Sequence, residues 1–275
     1  MKIKTLALGL GLVGLGSSAY ATPYYVGSNL DPNNNITLGF MDTPTKEQTP
    51  GAGRGNIAAF ELKADYFVID RLAINMNLPF YMANAKAAGT SRSSLGNFSL
   101  GGIWADRLSS PADDLSWGYA VSLDAYLPTS RKDEAGVVAV ANPTTELYRF
   151  TPKATTGHLQ AGLWIGNEMF TVKGNAGYAY SNVSGATDKA RSTFTMQTAA
   201  SWRALPNLAV NAEYNAIILD SKFAGAGKKF RHAMTPSISG NIDQILLAGF
   251  VTLPLDSTTR DRQSVAFGAN VGYLF

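Results

Sequence analysis

Charged and amide side chains recur at every second position in several segments of this 275-residue chain. They alternate with apolar side chains, so in extended strands they all point to one face. Acids and bases are mixed in this set, so its members are expected to pair with one another or to face water. The candidates for an inward-facing, solute-contacting set are Glu61, Lys63, Asp65, Asp124, His158, Lys173, Gln197, Arg203 and Glu213.

The histidines of the chain give no indication that this polar set catalyses a reaction. The chain has only two, His158 and His232, and neither lies in a recognisable motif with a nucleophile and an orienting partner. The absence of cysteine excludes thiolate zinc and iron–sulfur sites. Asp113-Asp114 is better explained as turn chemistry than as a metal site. We therefore expect no enzyme activity, no cofactor and no bound metal.

The first 21 residues have the pattern of a cleaved secretory signal peptide. Lys2 and Lys4 precede a short apolar run, and the segment ends in the small-residue motif Ala19-Tyr20-Ala21. Residues 22–275 then form a single predicted domain. Without these two lysines the chain has 21 basic and 20 acidic residues, from totals of 23 and 20, so the charge gives no support for nucleic-acid binding.

The inward-facing set must be positioned by strands, because apolar residues follow a spacing of two over most of the chain. A strand that crosses a bilayer needs ~9–11 residues. Twelve alternating segments of about this length predict an all-β, antiparallel up-and-down barrel that spans a membrane. They cover 36–42, 56–68, 71–81, 95–107, 116–127, 155–166, 168–181, 191–203, 207–219, 231–240, 243–254 and 264–275.

The connections between these segments alternate between short and long. Short turns on one side and long loops on the other are typical of outer-membrane barrels, whose turns lie in the periplasm. An even number of strands would also place both termini there. A soluble β-sandwich, with the apolar face turned to a core, is the alternative reading of the same alternation.

Aromatic residues are concentrated at the predicted periplasmic ends of the strands. Such residues favour the membrane–water interface, and we expect an interfacial girdle of Trp104, Trp117, Trp202, Tyr273 and Phe275. Trp164 has the opposite parity in its strand. Either a bulge shifts the register there or Trp164 fills the lumen.

The chain resembles the MetA-pathway phenol-degradation family of outer-membrane channels. The resemblance rests on IDRLAINMNLPFYM (69–82), SLGNFSLGGIW (94–104) and AVSLDAYLPTS (120–130). Ser130 stands where the family usually has glycine. The last strand, which ends in Phe275, is similar to the closing strand that the barrel-insertion machinery reads in outer-membrane proteins. The resemblance implies a barrel in the bacterial outer membrane that passes small molecules, often hydrophobic or aromatic ones.

The predicted partners are outer-membrane lipid, lipopolysaccharide, the insertion machinery and a small solute. The loop 128–154 could fold inward as a constriction, cover the mouth, or be an ordinary surface loop. The basic loop 220–230 could bridge lipopolysaccharide phosphates or simply be solvated. A selective channel is the first functional hypothesis, and the alternative is a non-transporting surface scaffold whose loops mediate adhesion or envelope contacts.

Overall fold

The computed structural model describes residues 34–46, 55–85, 90–109, 115–130, 149, 151–167, 169–186, 190–220, 230–262 and 264–275. Nearly all of these residues are in antiparallel strands. The strands are β1 (Asn35–Thr45), β2 (Gly55–Ile69), β3 (Leu72–Ala85), β4 (Thr90–Leu95), β5 (Ser99–Ser109), β6 (Ser116–Tyr126), β7 (Ala154–Gly166), β8 (Phe170–Val183), β9 (Ala190–Leu205), β10 (Leu208–Leu219), β11 (Phe230–Ile242), β12 (Ile245–Pro254) and β13 (Ala266–Leu274).

The strands close into a barrel. Each pairs with its neighbours in chain order, and β13 pairs with β1 from Asn35–Leu274 to Asp42–Phe267. β4 and β5 pair with successive parts of β3 and together count as one interrupted strand. The barrel therefore has twelve strands. This confirms the predicted fold. No helix in the described part of the chain is long and apolar enough to cross a membrane.

The alternation in sequence becomes two different surfaces. Along β6, for example, Ser122 and Asp124 are almost fully buried, whereas the exposed fractions of Val121 and Leu123 are 40% and 63%. The buried positions point into the barrel and the exposed apolar positions point outward. A continuous apolar outer wall is unfavourable in water and favourable in hydrocarbon, where closure of the sheet leaves no backbone group unpaired.

One irregularity divides the fourth strand, which the sequence predicted as continuous. Residues 78–79 of β3 face three residues, 96–98, so one extra residue forms a β-bulge between β4 and β5. The Pro79 carbonyl accepts a hydrogen bond from the Gly96 N–H at 2.7 Å. The missing N–H of Pro79 therefore faces the bulge, where the ladder is already interrupted. For this reason β3 continues past Leu78-Pro79 to Ala85.

A short helix lies in the connection between β12 and β13. Helix α1 (Ser257–Arg262) follows Asp256, whose carboxylate accepts hydrogen bonds from the Thr259 N–H at 2.8 Å and the Thr259 hydroxyl at 2.6 Å. This is an N-cap, which satisfies donors that a helix start leaves without intrahelical partners.

Candidate functional site in the barrel lumen

The polar set identified from sequence lies on the inner face of the barrel. Eight of its nine members are buried, and Arg203, near the turn that ends β9, is half-buried. The set does not collect at one point. It forms two groups, one on β2 to β7 around Glu61 and Asp124, and one on β8 to β10 around Gln197 and Glu213.

Glu61 is the centre of the first group. Its Oε1 atom is 2.5 Å from Arg149 Nη1 and 3.8 Å from Lys63 Nζ, and it also accepts a hydrogen bond from the Asn77 amide. The Glu61 and Arg149 side chains expose 0% and 4% of their surface. A buried carboxylate stays charged only when cations and donors compensate for lost water, and Glu61 has both.

Arg149 belongs to the long connection between β6 and β7, and Asn97 in the bulge holds this connection. The Asn97 N–H donates to the Arg149 carbonyl at 2.6 Å, and its side-chain amide donates to the Thr151 carbonyl at 2.9 Å. Its Oδ1 accepts from the Ser130 N–H at 3.1 Å. The Thr129 hydroxyl makes two more bonds to the bulge backbone, at 2.6 and 2.8 Å. Both ends of the connection are therefore fixed at the bulge, and one of its side chains reaches into the lumen.

Asp124 and His158 lie farther around the same wall. His158 Nδ1 is 3.7 Å from Asp124 Oδ2, and the Ser122 hydroxyl donates to that same oxygen at 3.4 Å. Because the hydroxyl donates to the carboxylate and not to the imidazole, these residues do not form a nucleophile–base pair. His232 instead lies on the outer side of β11, with Nδ1 3.2 Å from the Tyr214 hydroxyl. Among the described residues, no three His, Cys, Asp or Glu side chains are grouped as a metal site requires.

Hydrogen-bonded side chains cross the other wall. The Asn175 amide donates to Gln197 Oε1 at 3.1 Å, and the Gln197 amide donates to Glu213 Oε2 at 2.8 Å. A second set of bonds, of 2.7 to 3.2 Å, converges on the amide of Asn211 and joins it to Ser201, Ser237 and Ser239. These bonds link β8 to β11 across the ladder and fix the orientation of each amide.

Apolar and aromatic side chains line part of the lumen at the strand ends that lead into the long connections. Inward-facing, buried apolar residues at that end include Met41, Ile57, Tyr81, Tyr126, Val183, Ile217 and Leu219. The polar groups around Glu61 and Gln197 lie closer to the middle of their strands. A solute that enters from the long-loop end therefore meets apolar and aromatic side chains together with a charged one, Arg231, which is the register partner of Ile217 and is 1% exposed.

The aromatic residues predicted as a girdle, Trp104, Trp117, Trp202, Tyr273 and Phe275, are all exposed on the outer surface. Phe275 stacks on Tyr66 with ring centroids 6.5 Å apart. Trp164 is the exception that the sequence left open. Alternation is unbroken from Ala154 to Gly166, so no bulge intervenes and its ring points inward. A Cβ added to Gly118 would lie 2.7 Å from this indole, so the ring packs where Gly118 has no side chain.

Sequence reasoning missed two residues of the site. Arg149 was not placed in the lumen, because the alternation of strands says nothing about where a loop folds. Asn97 was placed inside a continuous strand. The only mark of its role was the Gly96-Asn97 pair within an otherwise alternating segment, and such a pair is also compatible with a small bend.

The family model described as "Putative MetA-pathway of phenol degradation" matches residues 21–242 of the chain. The chain belongs to this family. It is an outer-membrane β-barrel, as the resemblance in the sequence implied. No curated protein sequence matches it.

The barrel is shared with solved structures, among them a channel and a porin. The COG4313 outer membrane channel from Pseudomonas putida F1 is 11% identical with a TM-score of 0.61, and the match covers 92% of this chain and 98% of that one. The NanC porin is 7% identical with a TM-score of 0.53, covering 88% and 99%. At these identities the likeness concerns the fold.

Proposed function

We propose that this barrel is a narrow channel for the passive, selective passage of small molecules across the outer membrane. The observation that carries the proposal is a single loop side chain inside the lumen, that of Arg149, whose Nη1 atom is 2.5 Å from Glu61 Oε1. A barrel of twelve strands lies between packed ~8-strand barrels and open 16-strand porins. A loop side chain that narrows a lumen of this size leaves room for small solutes only.

The lining supports uncharged solutes. Charges of both signs around Glu61, Lys63 and Arg149 neutralise one another, so neither anions nor cations gain a continuous favourable path. The buried aromatic side chains at the long-loop end, Tyr81 and Tyr126, favour contact with a hydrophobic or aromatic solute. The family description points the same way, since it refers to phenol degradation. We assign no catalytic role to His158 or His232.

We further infer the orientation in the membrane. The short turns and both termini would lie in the periplasm, with the exposed aromatic band at the periplasmic interface. The long connections would face the exterior. There, loop 220–230, of which residues 221–229 lie outside the described residues, carries lysines suited to lipopolysaccharide phosphates. The strand ending at Phe275 would be the one that the insertion machinery engages. Removal of residues 1–21 as a signal peptide is part of the same proposal.

A non-transporting scaffold is the second candidate, because side chains crowd the lumen. Nearly all inward-facing polar residues expose less than a tenth of their surface. A barrel packed in this way could support loops that bind other envelope components without passing any solute.

Planar-bilayer recording separates the two candidates. The folded chain, residues 22–275, should give discrete conductance steps, and small uncharged aromatic solutes should enter liposomes that contain it. Replacing Arg149 with Ala should raise the conductance, since the side chain leaves the constriction. Arg71→Ala is the matched control, because Arg71 pairs with Asp106 at 3.2 Å in an exposed turn and should leave the conductance unchanged.

The folded state of each variant is verified by the gel mobility of unheated samples before recording. A folded barrel that carries no current and admits no solute would contradict the channel and favour the scaffold. Equal conductance of the wild type and Arg149→Ala would show that Arg149 does not line the constriction.

A further inference from the structure

A compact polar patch lies on the inner wall formed by β8, β9 and β10. Asn175, Gln197 and Asn215 are register partners in one row, and Thr195 is the next inward residue along β9. Side chains at such positions on one face of a sheet are close neighbours. The Gln197 carboxamide is already used, since its oxygen accepts from Asn175 and its nitrogen donates to Glu213.

The rest of the patch has hydrogen-bonding capacity that the described residues do not use. Oδ1 of Asn175, both polar atoms of the Asn215 side chain and Oγ1 of Thr195 have no hydrogen-bond partner among them. These residues expose only 9%, 4% and 1% of their surface, respectively. Polar atoms buried this deeply are normally satisfied, so unused ones on the wall of a lumen point to a ligand.

Gly177 lies at the edge of the patch that is nearer the long-loop end of β8. A Cβ at this position would lie 2.6 Å from His158 Nε2 and 2.7 Å from Thr195 Oγ1. Glycine on β8 therefore allows an imidazole from β7 and a hydroxyl from β9 to converge over the strand. Any larger residue would push them apart.

The charges around the patch define the ligand class. Lys173 and Glu213 are the next inward residues on β8 and β10 toward the short-turn end, and their opposite charges leave the patch near neutral. A carboxamide presents an acceptor and a donor side by side, as Asn215 does here. Two adjacent hydroxyl groups match this edge, because one donates while the other accepts.

We propose that this patch binds a neutral solute with vicinal hydroxyl groups during its passage through the lumen. The hydroxyls bond to the Asn215 amide, and Asn175 and Thr195 accept or donate further bonds. The proposal rests on the proposed channel function for access to the patch, and it adds a substrate class to that function.

Saturation-transfer NMR on the detergent-folded barrel tests binding without relying on conduction. The probe is cis-cyclohexane-1,2-diol, and cyclohexanol is the matched probe with one hydroxyl fewer. The diol should bind measurably more tightly than cyclohexanol to the wild-type chain. Asn215→Ala should weaken diol binding about tenfold, the effect of roughly one to two lost neutral hydrogen bonds, and should change cyclohexanol binding little.

Asn270→Ala is the control variant. Asn270 is a buried lumen asparagine with an unpartnered Oδ1, but it lies on β13, away from the patch. It should bind the diol like the wild type. Equal binding of the two probes, or equal diol binding by Asn215→Ala and Asn270→Ala, would overturn the proposal. Diol binding by a chain that carries no current and admits no solute would refute the channel and leave the binding site standing.

Discussion

The anchoring of the β6–β7 connection at the bulge can be tested by replacing Asn97 with Ala. The substitution removes two side-chain hydrogen bonds, to the Thr151 carbonyl at 2.9 Å and from the Ser130 N–H at 3.1 Å. Each is worth about 1 kcal/mol, so the pinned loop should be destabilised by about 2 kcal/mol. At 1.4 kcal/mol per factor of ten, the ratio of released to pinned loop rises about 30-fold.

Single-channel recording measures this ratio directly. If release of the loop moves Arg149 away from Glu61, Asn97→Ala should show longer or more frequent excursions to a higher conductance level. The ratio of time spent in the higher level to time spent in the lower level should rise by a factor approaching about 30. The bilayer composition and salt are held constant, since the Arg149–Glu61 ion pair also contributes to the closed state.

Asn167→Ala is the matched control, because Asn167 Oδ1 also accepts two hydrogen bonds, from the Met169 and Phe170 N–H groups at 2.9 and 2.8 Å. It lies in a short turn between β7 and β8, far from the long loops in the topology. Its loss should lower stability by a similar amount and leave the current unchanged. Identical gating in folded Asn97→Ala and wild-type barrels would refute the reasoning that the bulge holds the loop.

Two further predictions concern the barrel wall, and both are measured by urea unfolding in lipid vesicles. Leu123→Arg, on the outer face near the middle of β6, should lower the free energy of unfolding by ~2–4 kcal/mol. Leu115→Arg, just before that strand begins, should lower it by only ~0–1 kcal/mol. Equal losses would contradict the assigned depth of β6 in the membrane. Gly118→Ala should cost about 1–3 kcal/mol, because the new Cβ would lie 2.7 Å from Trp164 and 2.6 Å from the Asp106 carbonyl. Gly249→Ala, where nothing lies within 4 Å, should be nearly neutral, and a similar loss in both variants would argue against packing of Trp164 on Gly118.

The sequence alone determined the class of fold and the two faces of each strand. Side chains in a strand alternate with a period of two, so Val121 and Leu123 had to share one face and Ser122 and Asp124 the other, whatever the strand pairs with. Long segments of this kind, separated by alternating short and long connections, were sufficient to predict twelve antiparallel strands. The strand ends were less certain. Residues 82–94, which separate the predicted segments 71–81 and 95–107, are largely strand, because β3 and β4 pair with each other beyond Leu78-Pro79.

Tertiary structure decided everything that depends on residues distant in the chain. The extra residue at 96–98 has no local signature beyond the Gly96-Asn97 pair, because a bulge is defined by what the partner strand β3 places opposite it. Arg149 is 88 residues from Glu61, and Asn97 is 54 residues from Thr151. Closure of the barrel brings these residues together, and no spacing in the sequence records it. The alternation therefore supplied the polar lining, whereas the fold alone placed the loop residue Arg149 against it.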